Sequence, residues 1–106
     1  MVNRFDVFLV SLDPTIGAEI QKTRPCVVIS PDQMNRNMRT VLIAPMTSKG
    51  RDYPMRVACQ FENKPGEVIL DQIRGVDKRR LIKRLGRVSD SEGQLILKVL
   101  MEMFAE

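Results

Sequence analysis

Apolar residues fall along this chain mostly in runs of strand length, and only once in a helical stripe. Residues 6–12 carry Val, Phe and Leu on both alternating positions, which predicts a strand buried on both sides or a barrel strand, ended by Asp13-Pro14. Residues 25–30 predict a second strand. Ser30-Pro31-Asp32 then has the order of a helix start, but Asn35, Asn37 and the lack of an apolar stripe limit it to about one turn. Residues 40–46 read as a third strand, closed by Pro45. In the next, Met55, Val57, Cys59 and Phe61 alternate with Arg56, Ala58 and Gln60, so one face goes to the core and the other to solvent. Asn63-Lys64-Pro65-Gly66 has the composition of a type II turn, predicting a hairpin whose return strand covers residues 67–73 and delivers Asp71, Gln72 and Arg74 at its end. Residues 76–87 are weakly patterned and predict a turn plus a short final strand over 85–88. Ser89-Asp90-Ser91-Glu92 is a capping box, and Leu95, Ile96, Val99, Leu100, Met103 and Phe104 form one helical stripe after it.

Five or more short strands, one tight hairpin and one terminal helix predict a mainly β (α+β) fold. The expected form is a small, strongly bent antiparallel sheet or barrel with a C-terminal helix on one side. No repeat or linker divides the 106 residues, so 1–106 reads as a single domain.

The segment 17–31 stands apart from this pattern. It places Glu19, Lys22 and Arg24 in a loop that is long for so small a domain, loosened at Gly17 and locked at its exit by Pro25. A second polar, basic loop follows the third strand and carries Thr47, Ser48 and Lys49. The net charge of +4 and pI near 9.4 suit an anionic partner, nucleic acid foremost, as well as plain solubility. There is no histidine, which removes the usual neutral-pH acid/base and the commonest zinc ligand. Cys26 and Cys59 sit inside apolar runs and read as reduced core thiols of a cytoplasmic protein. The apolar run near the N-terminus is too short for a signal-peptide core or a membrane span, so neither export nor a membrane anchor is expected.

Each candidate has a functional and a structural reading. Arg24 is forced extended by Pro25 and offers a planar fork of donors to phosphate oxygens; alternatively it ties the loop down through Glu19. Thr47 either donates to a phosphate oxygen or caps the end of its strand. Asp71, Gln72 and Arg74 read base edges or are simply solvated. Lys78, Arg79, Arg80, Lys83, Arg84 and Arg87 are a phosphate-binding run or a solvated patch. Tyr53 is the one obvious stacking platform for a base. The last helix's stripe is core, with a share in self-association as the other reading.

Several of these pieces come in a characteristic order: Asp6-Val7, Val10-x-Leu12-Asp13-Pro14-Thr15-x-Gly17-x-Glu19, Arg24-Pro25-x-Val27-Val28-Ile29-Ser30, Pro45-x-Thr47-Ser48 and Leu70-Asp71-Gln72-Ile73-Arg74-x-Val76-Asp77. Together with Leu85-Gly86-Arg87-Val88-Ser89 and the closing helix, they resemble the MazF/PemK family of bacterial toxin endoribonucleases over nearly the whole chain. The resemblance implies an SH3-like barrel, a homodimer, metal-independent and cofactor-free cleavage of single-stranded mRNA at short sequences, and inhibition by a cognate antitoxin, expected as a disordered acidic segment on the basic groove. It also implies that Arg24 and Thr47 act on the scissile phosphate and that Glu19 and Asp71 have catalytic or RNA-contacting roles. Lys22, Ser48, Lys49, Gln72, Arg74, Arg79 and Arg80 complete the expected RNA contacts. The implied step is attack of a ribose 2′-hydroxyl on its own phosphate, with Glu19 the first candidate for the base and Asp71 the second. One departure is Phe5, where the family usually has Gly before the Asp-Val pair; the histidine of some relatives is also absent. The same barrel type includes CcdB-like gyrase poisons, which bind without cleaving RNA.

Overall fold

The computed structural model describes residues 1–12 and 22–106. Within them seven strands and two helices follow in the order β1 (Asp6–Ser11), β2 (Thr23–Val28), α1 (Asp32–Asn37), β3 (Thr40–Thr47), β4 (Arg56–Phe61), β5 (Lys64–Ile69), β6 (Arg74–Asp77), β7 (Leu81–Arg87) and α2 (Asp90–Phe104). Short 3-10 turns, Leu70–Gln72 and Lys78–Arg80, precede and follow β6. Every strand pairing is antiparallel, and the hydrogen-bonded path runs β4-β5-β3-β2-β1-β7, with β6 added to the free half of β3.

The sheet curls into a half-barrel because both of its faces carry apolar residues. The alternation along β1, β2, β3 and β6 sends Val10, Cys26, Val28, Val41, Ile43 and Val76 to one face, where they pack together with Phe8, Leu12 and Leu81. The intervening residues Val7, Val27, Ala44 and Met46 point the other way, into a second cluster with Val57, Cys59 and Val68 of the β4–β5 hairpin and Ile96 of α2. One pleated sheet therefore serves two cores. At the ends of the path, β4 and β7 approach through a side chain: a Cβ on Gly86 would sit 3.1 Å from the Phe61 ring.

Helix α2 starts at the predicted capping box. The Ser89 hydroxyl accepts the Glu92 N–H at 3.2 Å, and Glu92 accepts the Ser89 N–H at 2.9 Å. Ile96, Leu97, Val99, Leu100 and Met103 face the core, whereas Leu95 and Phe104 of the predicted stripe stay exposed. Helix α1 is a turn and a half, fixed by the buried Asn35, whose amide donates to Ser30 O while its oxygen accepts from the Ser30 hydroxyl.

Four element boundaries differ from the sequence reading. The hairpin turns at Glu62-Asn63, both with positive φ (52° and 63°), while Lys64, Pro65 and Gly66 already belong to β5 opposite Phe61, Gln60 and Cys59. Two left-handed residues make a hairpin turn whose twist matches the strands, which a type II turn at 63–66 would not. The return strand ends at Ile69, so the expected alternation through residue 73 is broken by the Leu70–Gln72 turn and resumes as β6 on another part of β3. The final strand is Leu81–Arg87 and longer than 85–88, because its partner is β1 rather than a neighbour in sequence. Strand β2 also begins two residues early, at Thr23. Pro25 is tolerated there because pairing to β3 begins only at Cys26, so no ladder bond needs its missing N–H.

Candidate active site

Arg24 and Val10 are cross-strand partners, so Arg24 continues the face that carries Cys26 and Val28 and emerges at its open end. Its backbone is held in the ladder and its guanidinium is held by β3, where Nη2 donates to Met46 O at 3.2 Å. That bond sets the half-buried guanidinium one residue from Thr47. Thr47 in turn is wedged by β5: a Cβ on Gly66 would meet the Thr47 carbonyl oxygen at 2.6 Å, so only glycine allows this approach. The Thr47 hydroxyl accepts the Lys49 N–H at 3.1 Å, the strand-end cap of its structural reading. A hydroxyl that accepts keeps its proton for donation.

Arg24, Thr47 and Ser48 line one open cavity of about 350 Å³ together with Lys64 and Glu62, on apolar walls from Pro25, Met46, Cys59, Phe61 and Pro65. Two phosphate-grade donors and a second cation thus converge on one hollow, beside walls suited to a sugar or base. Burial pushes the Cys59 thiol up to about 11, and Cys26 up to about 12 against the opposing charges of Arg24 and Arg74. Neither thiol is a thiolate at neutral pH, so neither serves as a nucleophile.

The remaining expected site residues divide by position. Arg74 donates to Leu12 O and Arg80 to Ser11 O, both at 3.2 Å, and the Leu12 N–H donates to Lys22 O at 3.0 Å. These three cationic residues gather at the end of β1 and the start of β2. The backbone of Lys49 holds Thr47, while its side chain is exposed. Gln72 is exposed in the 3-10 turn. Asp71 is bound to Arg56 at 3.1 Å and lies outside the cavity lining; the Arg56 hydrogen bond holds its carboxyl below the usual range. Arg79 is paired with Asp77 and lines a separate hollow of about 390 Å³ with Met38, Arg39 and Lys78. That hollow is at the opposite end of β3, because Asp77 pairs with Thr40. Glu19, and with it the Arg24–Glu19 pair, lies outside the described residues.

Sequence reasoning missed Lys64, Gly66 and Phe61 as site walls and Glu67 as a support. Buried Glu67 accepts the N–H groups of Arg51 and Asp52 at 3.1 and 3.2 Å and so holds the loop after Thr47. The available signal was a carboxylate, Glu67, leading directly into the apolar run Val68-Ile69-Leu70. The cavity walls had none, since they meet Arg24 only through the pairing of distant strands. Among the described residues no group of three or more Cys, Asp or Glu is placed to hold a metal, and no helix is long and apolar enough to cross a membrane.

Comparison with known proteins matches residues 3–104 to the family described as PemK-like, MazF-like toxin of type II toxin-antitoxin system. The endoribonuclease toxin MazF of Escherichia coli (strain K12) is 33% identical over 102 residues, covering 91% of this chain and 92% of that protein. Among solved structures, MazF from Deinococcus radiodurans superposes with a TM-score of 0.79 at 23% identity, covering 96% of this chain and 94% of that one. An endoribonuclease in complex with its cognate antitoxin, from a mycobacterial species, gives 0.82 at 23% identity over 96% and 93%.

Proposed function

This chain belongs to the PemK/MazF family of type II toxin–antitoxin toxins, and from that membership we propose that it is a sequence-specific endoribonuclease that cuts single-stranded mRNA without a metal or cofactor. The observation that carries the reading is the convergence of Arg24 and Thr47 on one cavity, with the guanidinium fixed by Met46 O. The ribose 2′-hydroxyl gives its proton to a base as its oxygen attacks the adjacent phosphorus, the bond to the 5′-oxygen breaks, that oxygen takes a proton from water, and a 2′,3′-cyclic phosphate and a 5′-hydroxyl end result. The crowded phosphorane gains negative charge, which Arg24 and the Thr47 hydroxyl neutralise by hydrogen bonds that strengthen as that charge develops. A guanidinium carries donors and no acceptor, so Arg24 acts as a donor, not as the base.

Glu19 is the proposed base for the 2′-hydroxyl. Asp71 is the weaker choice, since its salt bridge with Arg56 lowers its proton affinity. Lys22, Ser48, Lys49, Gln72, Arg74 and Arg80 are proposed to follow the RNA strand, with Arg79 reaching a more distant phosphate. Residues 1–106 act as one toxin domain, as a homodimer in the cytoplasm, silenced by an acidic cognate antitoxin. The mycobacterial relative solved with its cognate antitoxin supports that partnership.

Replacing Arg24 tests the assignment. Arg24→Ala is expected to lose cleavage by at least the roughly 100-fold typical of a lost oxyanion donor, with the circular dichroism spectrum unchanged. Cleavage near the wild-type rate by a folded Arg24→Ala protein would remove Arg24 from the chemistry.

A further inference from the structure

We propose that Tyr53, Arg56 and Asp71 form a base-stacking subsite, taking the base of a nucleotide that flanks the one held in the Arg24–Thr47 cavity. This rests on the nuclease reading above and adds to it a set of residues that would help select the sequence cut.

Tyr53 lies in the loop between β3 and β4, shortly after Thr47, and its side chain is 52% exposed. That loop is built to hold a position. Glu67 takes the N–H groups of Arg51 and Asp52, a Cβ on Gly50 would meet Glu67 Cδ at 2.9 Å, and Asp52 and Met55 on either side of Tyr53 adopt left-handed φ of 53° and 66°.

Beneath the ring, the Arg56 guanidinium carbon sits 4.8 Å from the ring centroid. The guanidinium is clamped in turn by Asp71, with Nε to Oδ1 at 3.1 Å and Nη2 to Oδ2 at 3.4 Å, and only 10% of the Arg56 side chain is exposed. One face of the phenol ring is thus occupied by a fixed cation, and half of the side chain remains open to solvent. A pre-set aromatic face next to positive charge is what a nucleobase stacks on, because stacking needs a π-face and little rearrangement.

Its place along the sheet fits a neighbouring nucleotide. Tyr53 follows the cavity residues Thr47 and Ser48 on the same β3–β4 loop, and Ile69, opposite Arg56, lies three residues along β5 from the cavity's Gly66, roughly 10 Å along the strand and on its other face. An RNA strand leaving the cavity over that loop reaches the Tyr53 ring. If Tyr53 merely shielded the Arg56–Asp71 pair, RNA would not touch it.

The composition supplies the test. The chain has one tyrosine and no tryptophan, so its intrinsic ultraviolet emission reports on Tyr53 alone. Titration of the full chain with single-stranded deoxy-oligonucleotides of mixed sequence, which lack the attacking 2′-hydroxyl and stay intact, is expected to quench that emission saturably after inner-filter correction against free tyrosine amide. By fluorescence anisotropy with a dye-labelled oligonucleotide, Tyr53→Leu should bind roughly 5- to 150-fold more weakly, the range a lost base–aromatic stack gives, and Tyr53→Phe should keep most of the affinity. End-sequencing of a random RNA pool should show Tyr53→Leu still cutting, with the base preference relaxed at one position of the recognition sequence. Binding that leaves the emission unchanged, or cut sites and affinity of Tyr53→Leu equal to wild type, would overturn the subsite while leaving the nuclease intact. A wild-type protein that cuts no RNA would overturn the nuclease reading itself.

Discussion

Phe5 holds φ at 74°, a conformation that costs an ordinary residue about 1–2 kcal/mol and a glycine almost nothing. The family preference for glycine at this position follows from that backbone. Here the ring offsets the cost by burial: it packs against Gly93 of α2, with the guanidinium carbons of Arg4 and Arg87 5.9 and 6.0 Å from its centroid. A Cβ at Gly93 would approach the ring to 2.6 Å. Gly93→Ala should therefore reverse the usual rule for helices. The gain of about 0.5–1 kcal/mol in helix propensity is outweighed by overpacking of about 1–3 kcal/mol. A fall of several degrees in Tm is expected, and in a Phe5→Gly background the same substitution should cease to destabilise. At this scale the sequence singled out Arg24 and Thr47 by residue type and spacing, and the structure brings both to one cavity. It was silent on Lys64 and Gly66, whose importance comes from touching residues on other strands, and it did not show that Asp71 would be bound by Arg56.

Among the elements, those defined by local signals were legible and those defined by long-range pairing were not. The capping box and helix α2 depend on residues within one turn of each other. The hairpin was also visible, but its turn was misplaced: Pro65-Gly66 has turn composition, whereas the strand register puts both residues in β5, where Gly66 admits the Thr47 carbonyl. The break at Leu70–Gln72 was hidden because an apolar run looks alike whether it continues in one ladder or moves to another. The cap of α2 also fastens the helix to the sheet, as Glu92 Oε2 accepts the Gln60 N–H of β4 at 2.8 Å. Burial disfavours the charge of Glu92, and the N–H donors of Ser89 and Gln60 outweigh it, leaving the carboxyl below its ordinary value of 4.5. A depressed carboxyl stabilises the fold fully above its unfolded pKa and ceases to do so as pH falls through the folded one. Glu92→Ala is thus expected to cost about 1 kcal/mol at neutral pH, measured by urea unfolding. The difference from wild type should shrink as pH drops below 4.5. A difference that is constant from pH 7 to pH 3 would place the effect in packing instead.

Over the whole molecule, two cores on opposite faces of one curled sheet fix where the charge emerges. The face lined by Val10, Cys26 and Val28 ends in Arg24, and the neighbouring ladder ends in Arg74, so cations collect at one rim while the hairpin supplies the cavity's far wall. The half-barrel with its terminal helix was foreseeable from strand lengths and periodicity; its strand order, which brings residues 24, 47 and 64 to one hollow, was not. The activity proposed for this hollow is cleavage of RNA by internal phosphoryl transfer. The measurement that tests it most directly is incubation of the purified protein with a defined single-stranded RNA in EDTA, followed by chemical mapping of both new ends. Cuts at one short sequence are expected, with 2′,3′-cyclic phosphate on one product and 5′-hydroxyl on the other, all absent with Arg24→Ala. Intact RNA, or ends bearing a 5′-phosphate, would contradict it, and intact RNA together with stalled gyrase would favour a binding toxin in its place.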